Sequence, residues 1–202
     1  MNTNSKTRIL VESALLIAIS TVLATWVKFK FLPYGGSITI CSMLPIIIIS
    51  YRHGLKWGFL ASFAHALIQI ITGYTPSGMG PFGFVMELLF DYIVAFTILG
   101  IGGLFRGKFG SPSKELVAGS FLALLGRFIS HCISGYFVWG EYAEWFFGEA
   151  GGFGQWAMNS FSGKGLALFY SIVYNATYMI PEIIITCIVA GIIAPRIVNN
   201  EE

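Results

Sequence analysis

The sequence predicts an all-α integral membrane protein, a single membrane domain over residues 1–202 built as a bundle of six transmembrane helices. Three observations predict it. Of 202 residues, 55% are hydrophobic and only 11% are charged, whereas soluble domains carry about a quarter charged residues. Six apolar stretches approach the ~20 residues that a helix needs to cross ~30 Å of hydrocarbon, at roughly 8–28, 38–52, 55–73, 83–105, 115–138 and 166–195. Turn-forming clusters such as Gly35-Gly36, Gly102-Gly103 and Ser111-Pro112-Ser113 separate them.

The first stretch follows Lys6 and Arg8 and superficially imitates a signal peptide. It is too long for a typical h-region, contains Glu12 and ends in Ala24-Thr25-Trp26 without an A-x-A site, so it reads as an uncleaved first span. On it, Ala14 and Ala18 stand one turn apart with Ser13 and Ser20 nearby. Small residues at this spacing let a second helix approach closely, either within the bundle or from a partner. The second stretch is short and contains Pro45, which predicts a tilted, kinked or partly spanning helix. Tyr51-Arg52-His53-Gly54 leaves room only for a helical hairpin into the third stretch, whose His65 is expected to bond a neighbouring helix.

The fourth, fifth and sixth stretches carry the chemistry. Charge in hydrocarbon costs several kcal/mol unless it is paired or lines a polar cavity. Glu87 and Asp91 lie one turn apart in the fourth, and Arg127 and His131 one turn apart in the fifth, with Gly135 and Trp139 continuing the same face. Tyr170, Asn175 and Glu182 follow in the sixth. Between the fifth and sixth, residues 139–165 form an outer loop with Glu141, Glu144, Glu149 and many aromatics; of a lid over the pocket, an interfacial amphipathic piece and a variable loop, the last two together are the favoured reading. Cys41, Cys132 and Cys187 are isolated from each other, with no C-x-x-C and no histidine at metal-ligand spacing, so they are expected to be small apolar fillers, with no disulfide and no metal site.

An even number of spans puts both termini on one side. That side collects Lys6, Arg8, Arg52, Lys56, Arg106, Lys108, Lys114 and Arg196, against only Lys28, Lys30 and Lys164 opposite. The positive-inside rule therefore predicts a multi-pass protein of the cell membrane with both termini cytoplasmic. In that orientation Asp91 lies ~12 Å below the outer end of its helix at 1.5 Å per residue. His131 lies at a similar depth, and Tyr170 and Asn175 fall in the outer half of the last helix. Three helices thus bring polar and aromatic groups to one level, which predicts an enclosed, aromatic-walled pocket for a polar or cationic small molecule. Arg127 is expected to be structural, pairing with Asp91, Glu87 or Glu182 at mid-depth.

The segments "PYGGSITICSMLPI" from Pro33, "LLFDYIVAFTILG" from Leu88, "GRFISHCISGYFVWG" from Gly126 and "YSIVYNATYMIPE" from Tyr170 carry a resemblance. In order and spacing the chain resembles the thiamine-specific substrate-binding (S) components of energy-coupling factor (ECF) transporters. The resemblance implies a six-helix membrane fold that binds a vitamin on its outer side. It also implies docking onto a transmembrane coupling subunit that works with two cytoplasmic ATPase subunits. Ligand contacts are implied at Asp91, Tyr92, His131, Gly135, Trp139, Tyr170 and Asn175, with Tyr34 as an aromatic of the first outer loop. Family members commonly carry Glu where Asp91 stands; the shorter side chain leaves Glu87, one turn outward, to share the cation contact. The partner-docking face is implied at Ala14 and Ala18.

The expected function is high-affinity thiamine capture and uptake, with no cofactor, no nucleic-acid partner and no catalysis of its own. No P-loop is present, so ATP hydrolysis falls to partners. Two alternatives remain open: an S component for another vitamin or a thiamine precursor, and an autonomous proton-coupled carrier using Glu87, Asp91, Arg127 and His131 as a relay. An intramembrane hydrolase has only Ser134-Gly135 beside His131 to recommend it, without a positioned base or oxyanion donors.

Overall fold

The computed structural model describes residues 3–30, 36–74, 76 and 78–198. Helix α1 (Thr3–Trp26) leads into a small antiparallel hairpin, β1 (Lys28–Lys30) paired with β2 (Ser37–Thr39) in the register Lys28–Thr39, Phe29–Ile38, Lys30–Ser37. Helices α2 (Leu44–His53) and α3 (Leu55–Gly73) follow, hinged at Gly54, whose φ of 87° lies in the left-handed region. Helix α4 (Gly80–Gly103) is followed by α5 (Pro112–Phe137). A short helical segment, α6 (Ala143–Glu149) with α7 (Gly151–Ser160), precedes the 36-residue α8 (Gly163–Val198).

Five of these helices, α1, α3, α4, α5 and α8, are long and apolar enough to cross a membrane. The stretch expected at 38–52 is different. Its first residues belong to β2 and a turn, and the helix proper has 10 residues, about 15 Å at the helical rise and half the hydrocarbon thickness. Pro45 sits in its first turn and starts it rather than kinking it. Ile46, Ile47 and Ile49 are fully buried, so α2 is a core element wrapped by the others. The hairpin is the one departure from an all-helical reading among the described residues. Its three-residue strands are too short for any periodicity to announce them.

Close approach of α2, α4 and α5 is made by glycine. A Cβ at Gly119 of α5 would overlap the carbonyl oxygen of Gly102, and one at Gly103 would overlap the Ser50 carbonyl. Ser50 Oγ in turn donates to Gly100 O and accepts from Gly103 N, so the crossing is polar as well as tight. The last six residues of α4, Ile98–Gly103, wind as a 3₁₀-helix at this crossing.

Helix α1 is attached differently. Of its described side chains only Ser13 and Ser20 are fully buried, while Leu10, Val11, Leu15, Ile19 and Val22 face outward. Ser20 Oγ donates to Ser42 O and meets His65 Nε2 at 3.2 Å, so His65 does bond a neighbouring helix. Toward the N-terminus Glu12 pairs with Arg52 at 2.9 Å and with His53 at 3.2 Å. Glu12 is thus a clasp between α1 and the α2–α3 corner. At this end Arg52, Arg106, Glu115 and Ile197 line one small cleft, which places the N-terminal part of α1 and the end of α8 at the same end of the bundle. Cys41, Cys132 and Cys187 are free thiols in this arrangement.

Candidate functional site

At the opposite end α4, α5 and α8 enclose a cavity of about 590 Å³, closed from the sides by α3, the start of α2 and the hairpin. Helix α4 presents to it Glu87, Asp91, Tyr92 and Phe96. These residues straddle a π-helical turn, Leu88–Ile93, set within an otherwise ordinary helix. An inserted turn of this kind re-aims successive side chains and is frequent at functional sites. Nothing in the amino-acid pattern marks it, because the wider turn is set by packing against neighbouring helices.

Helix α5 presents Arg127, His131 and Gly135, with Trp139 just beyond its end. Gly135 is required: a Cβ there would collide with Ser171 Oγ and lie 3.1 Å from Asn175 Nδ2, so glycine permits α8 to pack at this level. Helix α8 contributes Tyr170, Tyr174, Tyr178 and Glu182, one residue per turn, together with Asn175. The four-residue spacing of 170, 174, 178 and 182 was readable in the sequence; Tyr174 and Tyr178 are the wall residues it would have added. Tyr170 packs 5.6 Å from Tyr174, and Tyr174 lies 6.2 Å from Tyr178, forming a ladder of rings down one wall.

The polar groups form one connected set. His131 Nδ1 contacts Asp91 Oδ1 at 2.8 Å, and Ser134 Oγ donates to Asp91 Oδ2 at 2.6 Å. Arg127 Nε donates to His131 Nε2 at 3.1 Å. Asn175 Nδ2 donates to Ser171 O at 2.8 Å and to His131 O at 3.3 Å, while its Oδ1 accepts from Tyr178 OH. Tyr74 OH donates to Glu87 Oε2 at 3.4 Å at the cavity mouth. Both nitrogens of His131 are therefore engaged by protein groups, and so is each oxygen of Asp91.

Ten residues singled out from the sequence meet in this cavity: Glu87, Asp91, Tyr92, Arg127, His131, Gly135, Trp139, Tyr170, Asn175 and Glu182. Tyr34 lies outside the described residues, although neighbouring Gly36 is held at the rim, its N–H donating to Tyr174 OH at 3.2 Å. Ala14 and Ala18 are elsewhere, both exposed on the outer face of α1. The expected pairing of Arg127 with Asp91, Glu87 or Glu182 is not a direct one: none of the ion pairs among the described residues joins Arg127 to these carboxylates. His131 is interposed between Arg127 and Asp91, the guanidinium instead lies over the Phe96 ring at 4.5 Å, and Glu182 accepts from Thr39 Oγ1. Sequence reading also missed Ser134 as the second donor to Asp91, and Lys28, Gln69 and Tyr142 as lining.

The 139–165 segment is more than a variable loop. Phe147 is fully buried and stacked on Phe169, and Phe146 stands edge-on to Tyr170 at 5.2 Å and to Tyr174 at 5.9 Å. Tyr142 reaches the cavity itself, so α6 and its lead-in form part of the wall.

Comparison with known proteins agrees with this arrangement. A solved structure of ThiT from Listeria monocytogenes superposes with a TM-score of 0.69 over 96% of this chain and 98% of that one, at 21% identity, which establishes the shared fold. The thiamine transporter ThiT of Bacillus subtilis (strain 168) is 33% identical over 216 residues, covering both chains completely. The family described as thiamine transporter protein (Thia_YuaJ) matches residues 10–146, most of α1 through the first residues of α6. On this evidence the chain belongs to the thiamine transporter protein family.

Proposed function

We propose that the chain captures thiamine in the cavity between α4, α5 and α8 and serves as the substrate-binding subunit of an ECF-type transporter. The observation that carries the reading is the convergence of a carboxylate, an imidazole and a ring ladder from three helices on one enclosed space. Thiamine joins a permanently cationic thiazolium to a flat aminopyrimidine. Among the lining residues the carboxylates of Glu87, Asp91 and Glu182 outnumber the cations Arg127 and Lys28, a balance that favours a cation where attraction is poorly screened. Tyr92, Trp139 and Tyr170 supply faces for both heterocycles, each cation–π contact contributing ~0.5–2 kcal/mol. Tyr34 is a further aromatic contact in this reading, by the family resemblance. Because both nitrogens of His131 are engaged, its contribution to the ligand is its ring and its hold on Asp91.

In this reading the chain is one membrane domain, with buried α2 taken as the sixth helix beside the five candidate spans. Both termini are cytoplasmic, by the lysine and arginine distribution, and the cavity opens outside. Ala14 and Ala18 offer the coupling subunit a smooth face on α1, the helix least embedded in the bundle. ATP hydrolysis is supplied by the two partner ATPases.

Titration of the purified chain with thiamine, followed by tryptophan fluorescence, tests the site. Quenching is expected to persist in Trp57→Ala and to disappear in Trp139→Ala and His131→Ala; the same response in all three contradicts the site. Vesicles holding this chain alone are expected to bind thiamine without concentrating it. Accumulation driven by a pH gradient would instead favour the autonomous carrier.

A further inference from the structure

Arg127 is the buried cation that the ligand reading leaves without a task, and its contacts specify the protonation of its neighbour. A guanidinium Nε–H can only donate. At 3.1 Å from His131 Nε2 it requires a lone pair on that nitrogen, so the imidazole carries its single proton on Nδ1. That proton points at Asp91 Oδ1, 2.8 Å away, and the other oxygen of Asp91 accepts from Ser134 Oγ at 2.6 Å. The result is a directed chain, Arg127 to His131 to Asp91, with Ser134 closing it from the far side. While it stands, His131 has no free nitrogen at which to gain a second proton.

We propose that Arg127 is a positioning residue for ligand capture, holding His131 as the neutral Nδ1–H tautomer so that the negative charge of Asp91 stays uncancelled as the medium becomes acidic. The proposal rests on the reading of the cavity as a thiamine site. An imidazolium at His131 would pair with Asp91 and place a positive charge beside a cationic ligand. The other groups facing His131 do not replace this control. Tyr178 of α8 lies edge-on with its ring centre 6.1 Å away, and its hydroxyl is committed to Asn175. Asn175 meets only the His131 carbonyl. Glu87 and Glu182, lining the same cavity from α4 and α8, would draw a proton toward the imidazole rather than repel one. Lys28 sits in the lining contributed by the outer hairpin. Arg127 has the means to act as a fixed donor: its aliphatic stem is buried, its guanidinium rests over Phe96, and Nη1 makes no hydrogen bond within the protein.

The test uses the full chain in lipid nanodiscs with ¹⁵N-labelled imidazoles, of which there are three. Between pH 8 and 6, His131 is expected to show a protonated Nδ1 and a bare Nε2 throughout, and thiamine affinity to stay within about threefold. In Arg127→Met the imidazole is free to gain its second proton. The variant's thiamine affinity should then fall as the pH is lowered from 8 to 6, by up to about tenfold per pH unit, where the wild-type profile stays flat, while Arg127→Lys, a shorter donor, should restore part of that flatness. A doubly protonated His131 at pH 6 in wild-type protein that binds thiamine overturns the role of Arg127, as does an Arg127→Met affinity reduced equally at every pH. Wild-type protein that keeps the tautomer yet binds no thiamine overturns the ligand reading instead.

Discussion

Asp91 is held by two donors from α5, which pins its carboxylate at a fixed depth in the cavity. A carboxylate so held is oriented before any ligand arrives, and its loss removes charge without removing volume. Asp91→Asn is expected to weaken thiamine binding by about 30-fold, equivalent to about 2 kcal/mol, measurable by calorimetric titration. Gly135→Ala makes a steric test of the same level. Its methyl group would collide with Ser171 Oγ, so affinity should fall by about tenfold or more, and Ser171→Gly in the same chain should recover part of it. The Asp91–His131 meeting was legible in the sequence because spacing and span direction together put both residues at one depth. Ser134 was not: it is one of several serines on α5, and only the rotation of α4 brings Asp91 within its reach. The contacts of Arg127 were not legible for a related reason, since charge alone suggests a direct carboxylate partner and the intervening imidazole is a matter of three-dimensional order.

Among elements, α3 agrees with its expected bounds, 55–73, because Gly54 and Gly73 flank an uninterrupted apolar run. Helices α4, α5 and α8 each begin a turn before theirs, as glycine- and proline-containing starts join the helix; α4 and α5 end slightly short of their expected ends, and α8 runs on to Val198. Two features had no local signature: the hairpin of three-residue strands, and the π turn that carries Asp91 and Tyr92. The outer segment shows how packing gives a loop a task. Phe147, fully buried against Phe169, fixes α6, and α6 in turn holds Phe146 against the tyrosine ladder. Phe147→Ala is expected to destabilise the protein by about 3 kcal/mol and to weaken ligand binding through the loosened wall. Phe153→Ala, at a residue 47% exposed, should leave thermal unfolding and affinity close to wild type. Thermal unfolding in detergent, followed by thiamine titration, checks both.

Across the whole molecule the two ends of the bundle do different work. At the cavity end three helices converge on one space; at the other, Glu12 ties α1 to Arg52 and His53. Between them α1 turns an almost wholly exposed face outward, its inner side held by Ser13 and Ser20 together with the partly buried Leu16 and Ile17. Replacing Ala14 and Ala18 by leucine is therefore expected to abolish thiamine uptake by cells while leaving the affinity of the isolated chain within about twofold, because neither residue is near the cavity. Equal loss of uptake and of affinity would contradict a docking role. The membrane class was legible in composition, since a bilayer imposes span length directly. Side-chain contacts joining 12 to 52, or 39 to 182, were not, because nothing local in a membrane helix specifies which neighbour it meets. The most direct measurement of the central claim is a structure of the thiamine-bound chain. The ligand is expected between α4, α5 and α8, its thiazolium near Asp91 and its rings against Tyr92, Trp139 or Tyr170. Thiamine seated anywhere else, with this cavity unfilled, would contradict it.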